Sequence, residues 1–115
     1  MPTVNIYVSE EGKHEDLVSL LPDLRLKVAQ QLTSVERHLK EDEISIRVIR
    51  TFAGTMIAPL EIEINAHAYP DRITRSDEIC LRIQEFVLER VKSILDVSVW
   101  LSLSELGHSF IDVEE

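Results

Sequence analysis

The chain has 115 residues, 44% of them apolar and 29% charged. That length suits one domain, and that balance excludes a disordered chain. A formal charge of −9 excludes a nucleic-acid or anionic-membrane surface unless the few cations are gathered in one place. No apolar run approaches the ~20 residues of a membrane span. MPTVNIYV carries neither a basic flank nor a cleavage signature, so a cytoplasmic protein is expected. A chain this short buries only about two-thirds of its surface, so a partner subunit would complete it naturally.

Residues 3–8, TVNIYV, alternate, with Val4, Ile6 and Val8 on one face. This predicts a half-buried strand. Apolar residues then recur at Leu17, Leu20, Leu21, Leu24, Val28, Leu32, Val35 and Leu39. Steps of three and four predict one helical stripe, begun or kinked at Pro22. KEDE (40–43) reads as a solvated loop. ISIRVIRTF (44–52) alternates again, with Ile44, Ile46 and Val48 opposite Ser45 and Arg47. LEIEINAHAY (60–69) alternates best, with Leu60, Ile62, Ile64, Ala66 and Ala68 on one face. PDRITRSDE predicts a turn into a helix, with Ser76 as its cap and Asp77 and Glu78 in its first turn. Ile79, Ile83, Phe86, Val87, Val91 and Ile94 form its stripe, and VSVWLSL (97–103) predicts the fourth strand.

The order is therefore β-α-β followed by β-α-β. Pro2 opens PTVNIYV and Pro59 opens PLEIEIN, an offset of 57 that suggests a repeat. One domain over 1–115 follows, with repeat one at about 1–57 and repeat two at about 58–115. Two such units predict an α/β (α+β) fold: a four-stranded mixed sheet with two helices on one face. The other sheet face would carry Thr3, Asn5, Tyr7, Arg47, Glu61, Glu63, Asn65, His67, Ser98, Trp100 and Ser102. Trp100 and Tyr7 are large for open solvent, so an oligomer interface is expected there.

Cys80 is the only cysteine, set among apolar residues and expected to pack as a buried thiol. The four histidines show no ligand spacing, so no metal site is expected. Chemistry points first to Pro2. Loss of Met1 would leave a secondary amine, a general base whose pKa falls in apolar surroundings or beside cations. Arg72 and Arg75 stand at a strand-to-helix junction, where they can clamp a carboxylate or pair with Asp71, Asp77 or Glu78. Arg47, in mid-strand, needs Glu61, Glu63 or a substrate anion as partner.

These residues resemble the tautomerase superfamily of 4-oxalocrotonate tautomerase, 5-carboxymethyl-2-hydroxymuconate isomerase and macrophage migration inhibitory factor. The likeness rests on Met-Pro before the first strand, EGK at 11–13, SIRVIRTFA at 45–53, RSDE at 75–78 and SELGHSF at 104–110. In that family Lys13 would replace an arginine of the first repeat, and Ser98 the strand arginine of the second. The resemblance implies two fused βαβ repeats and a homotrimer. It implies a cofactor-free tautomerase or isomerase of small unsaturated or 2-keto/2-hydroxy acids. Pro2 would be the general base, with Arg47, Arg72 and Arg75 binding the substrate carboxylate. No metal, cofactor, nucleic acid or membrane is implied. Two other readings fit the same resemblance: a non-catalytic binding or structural trimer, and a hydrolytic dehalogenase or hydratase in which Pro2 and an acid such as Glu105 activate water.

Overall fold

The computed structural model describes residues 2–9, 15–51, 54–92 and 96–105. Met1, EGK (11–13), Ile94 and most of SELGHSF fall outside them. The elements are β1 (Thr3–Val8), α1 (Glu15–Leu32), a 3₁₀ turn (Glu41–Glu43), β2 (Ser45–Arg50), β3 (Leu60–His67), α2 (Pro70–Thr74), α3 (Ser76–Arg90) and β4 (Val97–Ser104). The sheet order is β2-β1-β3-β4. β1 runs parallel to β2 and antiparallel to β3, and β3 runs parallel to β4. The sheet is mixed, as expected for two βαβ units joined through their first strands.

One core holds the fold. Val4, Ile6 and Val8 of β1 and Leu60, Ile62, Ile64 and Ala66 of β3 lie under both long helices. α1 contributes Leu17, Leu20, Leu24, Val28 and Leu32, and α3 contributes Ile79, Ile83 and Val87. The strand alternation therefore selects which face the helices cover.

Three local expectations are corrected. α1 ends at Leu32, short of Val35 and Leu39. The Thr33 hydroxyl donates to the Ala29 carbonyl and accepts the Leu39 N–H, turning the chain back. Leu39 is thus buried from a loop, while Val35 is 92% exposed. Pro22 lies inside α1 on its exposed side rather than at its start. Ser76 does not cap α3: Arg75 holds the cap position without a side-chain cap bond. PDRITRSDE instead folds a short helix first, because Pro70 sits at the first helical position, where its missing N–H costs nothing.

The repeat has a definite register. Leu20, Leu24, Val28 and Leu32 of the first half match Ile79, Ile83, Val87 and Val91 of the second, each 59 residues later and all buried. By that match Arg25 corresponds to Gln84. Arg25 donates to the Ile44 carbonyl, and Gln84 donates to the Val97 carbonyl. Ile44 and Val97 stand at the starts of β2 and β4. The strand registers then make Thr3 the counterpart of Glu61, and Arg47 the counterpart of Trp100. Pro2 corresponds to buried Leu60, not to Pro59. An odd offset such as 57 would set the open face of one strand against the covered face of the other. Trp100, rather than Ser98, therefore stands where the first half has its strand arginine.

Leu24 and Ile83 are fully buried counterparts on the two helices. Leu24→Ala and Ile83→Ala should each cost about 2–5 kcal/mol in urea unfolding. Val35→Ala should stay within about 0.5 kcal/mol of the parent.

Candidate functional site

The sheet face turned away from the helices is polar at its centre. Glu63 Oε1 accepts from Asn5 Nδ2 at 2.9 Å, from Asn65 Nδ2 at 3.3 Å and from the Tyr7 hydroxyl at 3.4 Å. Burial, then the neighbouring Glu63 charge, pushes the Tyr7 phenol above its ordinary pKa. Asn5 Oδ1 is buried with no donor among the described residues. At one end of this face the Glu61 carboxylate accepts the Ile57 N–H at 2.6 Å. Trp100, beside Glu63 in the register, is 38% exposed. Sequence alternation placed these residues on one face but did not reveal Glu63 as the shared acceptor.

Pro2 lies at the entry of β1 and is buried. Its carbonyl accepts the Ser45 N–H at 3.1 Å, where β2 begins. The C-terminus of α1 and the end of β3 reach this same end of the sheet. Arg72 and Arg75 join them. Arg72 is 2% exposed; its Nε donates to the Leu32 carbonyl at 2.8 Å and its Nη1 to the His67 carbonyl at 3.1 Å. Its guanidinium also stacks 4.8 Å from the Tyr69 ring. Arg75 forks onto Asp71 at 3.1 and 2.9 Å and donates to the Gln31 and Thr33 carbonyls. The two arginines thus cap the last turn of α1, where free carbonyls and the helix dipole favour positive charge. Burial lowers the Arg72 pKa, whereas the Asp71 hydrogen bond raises that of Arg75.

Arg47 belongs to β2, two residues beyond Ser45. It points from the open face of β2, exposed, with a 3.4 Å bond to the Ser45 hydroxyl. The expected partners Glu61 and Glu63 are taken by main-chain N–H groups and by Asn5, Asn65 and Tyr7. A single chain therefore sets Arg72 and Arg75 at the Pro2 end of the sheet, while Arg47 stands two residues along β2 from Ser45, whose N–H bonds the Pro2 carbonyl. Two grooves are described, one between the end of α1 and residues 38–42, the other between α3 and β4. Pro2 and the three arginines line neither. Cys80 is half-buried, not fully buried, and burial, then the nearby Asp77 charge, pushes its thiol pKa up. Among the described residues no cluster of His, Cys, Asp and Glu is set to hold a metal, and no helix is long and apolar enough to cross a membrane.

No protein-family model matches the sequence, and no curated protein is significantly similar to it. Solved structures are similar in fold. A macrophage migration inhibitory factor-like protein from Entamoeba histolytica aligns at TM-score 0.59 and 11% identity, over 91% of this chain and 88% of its own. A 5-carboxymethyl-2-hydroxymuconate isomerase from Deinococcus radiodurans R1 aligns at TM-score 0.64 and 10% identity, over 98% and 90%. A fused 4-OT wild-type asymmetric trimer aligns at TM-score 0.64 and 12% identity, over 92% and 91%.

The capping role of the arginines sets two expectations. Arg72→Ala should orphan two carbonyls and cost about 2–4 kcal/mol in urea unfolding, with Arg72→Lys recovering only part because one ammonium cannot fork. The Arg75 hydrogen bond also holds the Asp71 carboxyl below its ordinary value. Its stabilisation is complete above the unfolded carboxylate pKa of about 3.9 and is lost as pH falls through the lowered folded value. Asp71→Asn should therefore flatten the acid limb of a stability-against-pH curve.

Proposed function

We propose that this chain, which has the fold of the tautomerase superfamily, is a cofactor-free isomerase of small unsaturated or 2-keto/2-hydroxy acids and works as a homotrimer. The observation that carries the reading is buried Pro2 at the entry of the central strand, at the sheet end where Arg72 and Arg75 lie. With Met1 removed, Pro2 presents a secondary amine. Burial and nearby cations both disfavour its protonation, so it is a neutral base near neutral pH. It takes a proton from the carbon beside the substrate carbonyl. The electron pair moves onto the carbonyl oxygen, and the proton returns to oxygen or to a more distant carbon.

Positive charge serves the developing enolate and the carboxylate. Arg47 receives the carboxylate, because its guanidinium is exposed and, among the described residues, makes one long bond, to the Ser45 hydroxyl. Arg72 and Arg75 contribute charge at the Pro2 end while their N–H groups hold carbonyls and Asp71. The homotrimer draws support from the open face. Its buried Asn5 Oδ1 meets no donor among the described residues, and Trp100 is partly exposed to solvent. The descriptions of two similar structures, an isomerase and a fused trimer, agree with both halves of the reading.

The test uses untagged protein whose intact mass proves a Pro2 terminus. It should convert phenylenolpyruvate to its keto form, or isomerise 2-hydroxymuconate, above the buffer rate. Pro2→Ala keeps a primary amine and should lose about tenfold or more of kcat. Arg47→Ala should chiefly raise KM. No rate above buffer with either substrate would overturn the isomerase reading.

A further inference from the structure

The β1–β3 register reaches past the start of β1. Thr3 pairs with Asn65, so the next step sets Ala66 opposite Pro2, and His67 falls in the row just outside it. The nitrogen of each residue precedes its Cα, so the nitrogen is the part of Pro2 that faces this outer row. Neighbouring strands lie about 4.8 Å apart, which brings an imidazole in that row within the span of one small substrate from the nitrogen. Alternation turns Ala66 into the core, where it is buried, and His67 to the open face, where it is partly exposed.

His67 is held in place. Arg72 Nη1 donates to its carbonyl at 3.1 Å, and the Tyr69 N–H donates to the same oxygen at 3.0 Å. Its ring meets the Tyr69 ring edge-on, with centroids 4.6 Å apart, and the Arg72 guanidinium lies 4.8 Å from the centre of the Tyr69 ring. His67, Tyr69 and Arg72 thus form one stack. On the other flank β4 sets Ser104 beside His67, and the Ala68 N–H donates to the Ser104 carbonyl at 3.0 Å. The repeat sharpens the point. The match that makes Thr3 the counterpart of Glu61 makes Ser9 the counterpart of His67. One end of the sheet therefore carries Pro2 with an imidazole, and the other carries Leu60 with a serine.

We infer that His67 is the second acid–base group of the reaction: as Pro2 takes the proton from carbon, the His67 imidazolium gives its own to the carbonyl oxygen. This rests on the isomerase reading and names the group that serves the oxygen. The C–H bond breaks and its pair becomes the C=C bond. The C=O π pair takes the His67 proton, which leaves an enol, a prolyl ammonium and a neutral imidazole. Ketonisation runs the same steps backwards. In both directions the pair holds one proton when it reacts, so the rate falls at either pH extreme. An imidazole suits the task because its proton moves near neutral pH. The charged groups around it are the Pro2 amine of β1, Arg72 of α2 and Glu105, which follows Ser104 of β4. Glu36 and Arg37, whose charges act on Arg72, complete the set beyond the end of α1.

Untagged protein with a proven Pro2 terminus tests the role, by ketonisation of phenylenolpyruvate across about pH 5–9. The parent should give a bell-shaped profile of kcat/KM. His67→Gln should lower kcat about a hundredfold, leave KM within about threefold and replace the bell by a single limb. His67→Ala should lose as much, and added imidazole should restore at least about tenfold of it. Circular dichroism of both variants should match the parent; if His67→Ala does not fold, His67→Gln decides. A parent with no rate above buffer overturns the isomerase reading and this role with it. An active parent whose folded variants keep its kcat or its bell, or an alanine variant that imidazole does not relieve, overturns the role of His67 and leaves the isomerase reading standing.

Discussion

The Asn5–Glu63 pair lies where the two halves of the molecule meet. Asn5 and Glu63 are opposite each other in the β1–β3 ladder, and they are counterparts in the repeat. The pseudo-two-fold axis passes through them. A βαβ unit of under 60 residues buries only about 60% of its surface and is marginal alone. Pairing β1 with β3 joins two such units under a single core, with α1 against α3 on one face. The same pairing leaves the opposite face without helices, and the polar side chains gathered on Glu63 fill it. It also fixes β2 and β4 as the two outer strands.

Symmetry of the frame makes the departures from it informative. Pro2 and Leu60 occupy equivalent buried positions, a proline in one half and a leucine in the other. Arg47 and Trp100 are equivalent, a cation on one edge and an aromatic ring on the other. The helix-to-strand connection is longer in the first half, where residues 38–42 wall a groove against α1. The strand-to-helix connection of the second half folds α2, and its Arg72 and Arg75 close the end of α1. One repeat thus caps the helix of the other, which ties the halves together at the Pro2 end.

The sequence made much of this frame legible because alternation and helical spacing are local signals. Val4, Ile6, Val8, Leu60, Ile62 and Ile64 declared the covered face directly. Signals failed where distant parts of the chain decided the outcome. Leu39 sits at helical spacing from Leu32 but is buried by a loop that Thr33 turns. Pro2 and Pro59 look like matched starts, yet side-chain parity in the sheet sets the repeat one residue away. Arg72 and Arg75 read as a spaced cation pair at a helix start. Their acceptors are carbonyls about 40 residues earlier, which no local pattern could supply. Pro2 and Arg47 were singled out from their place in the chain; the β1–β2 pairing that sets them on neighbouring strands, with the Ser45 N–H on the Pro2 carbonyl, is a long-range contact that alternation alone does not display.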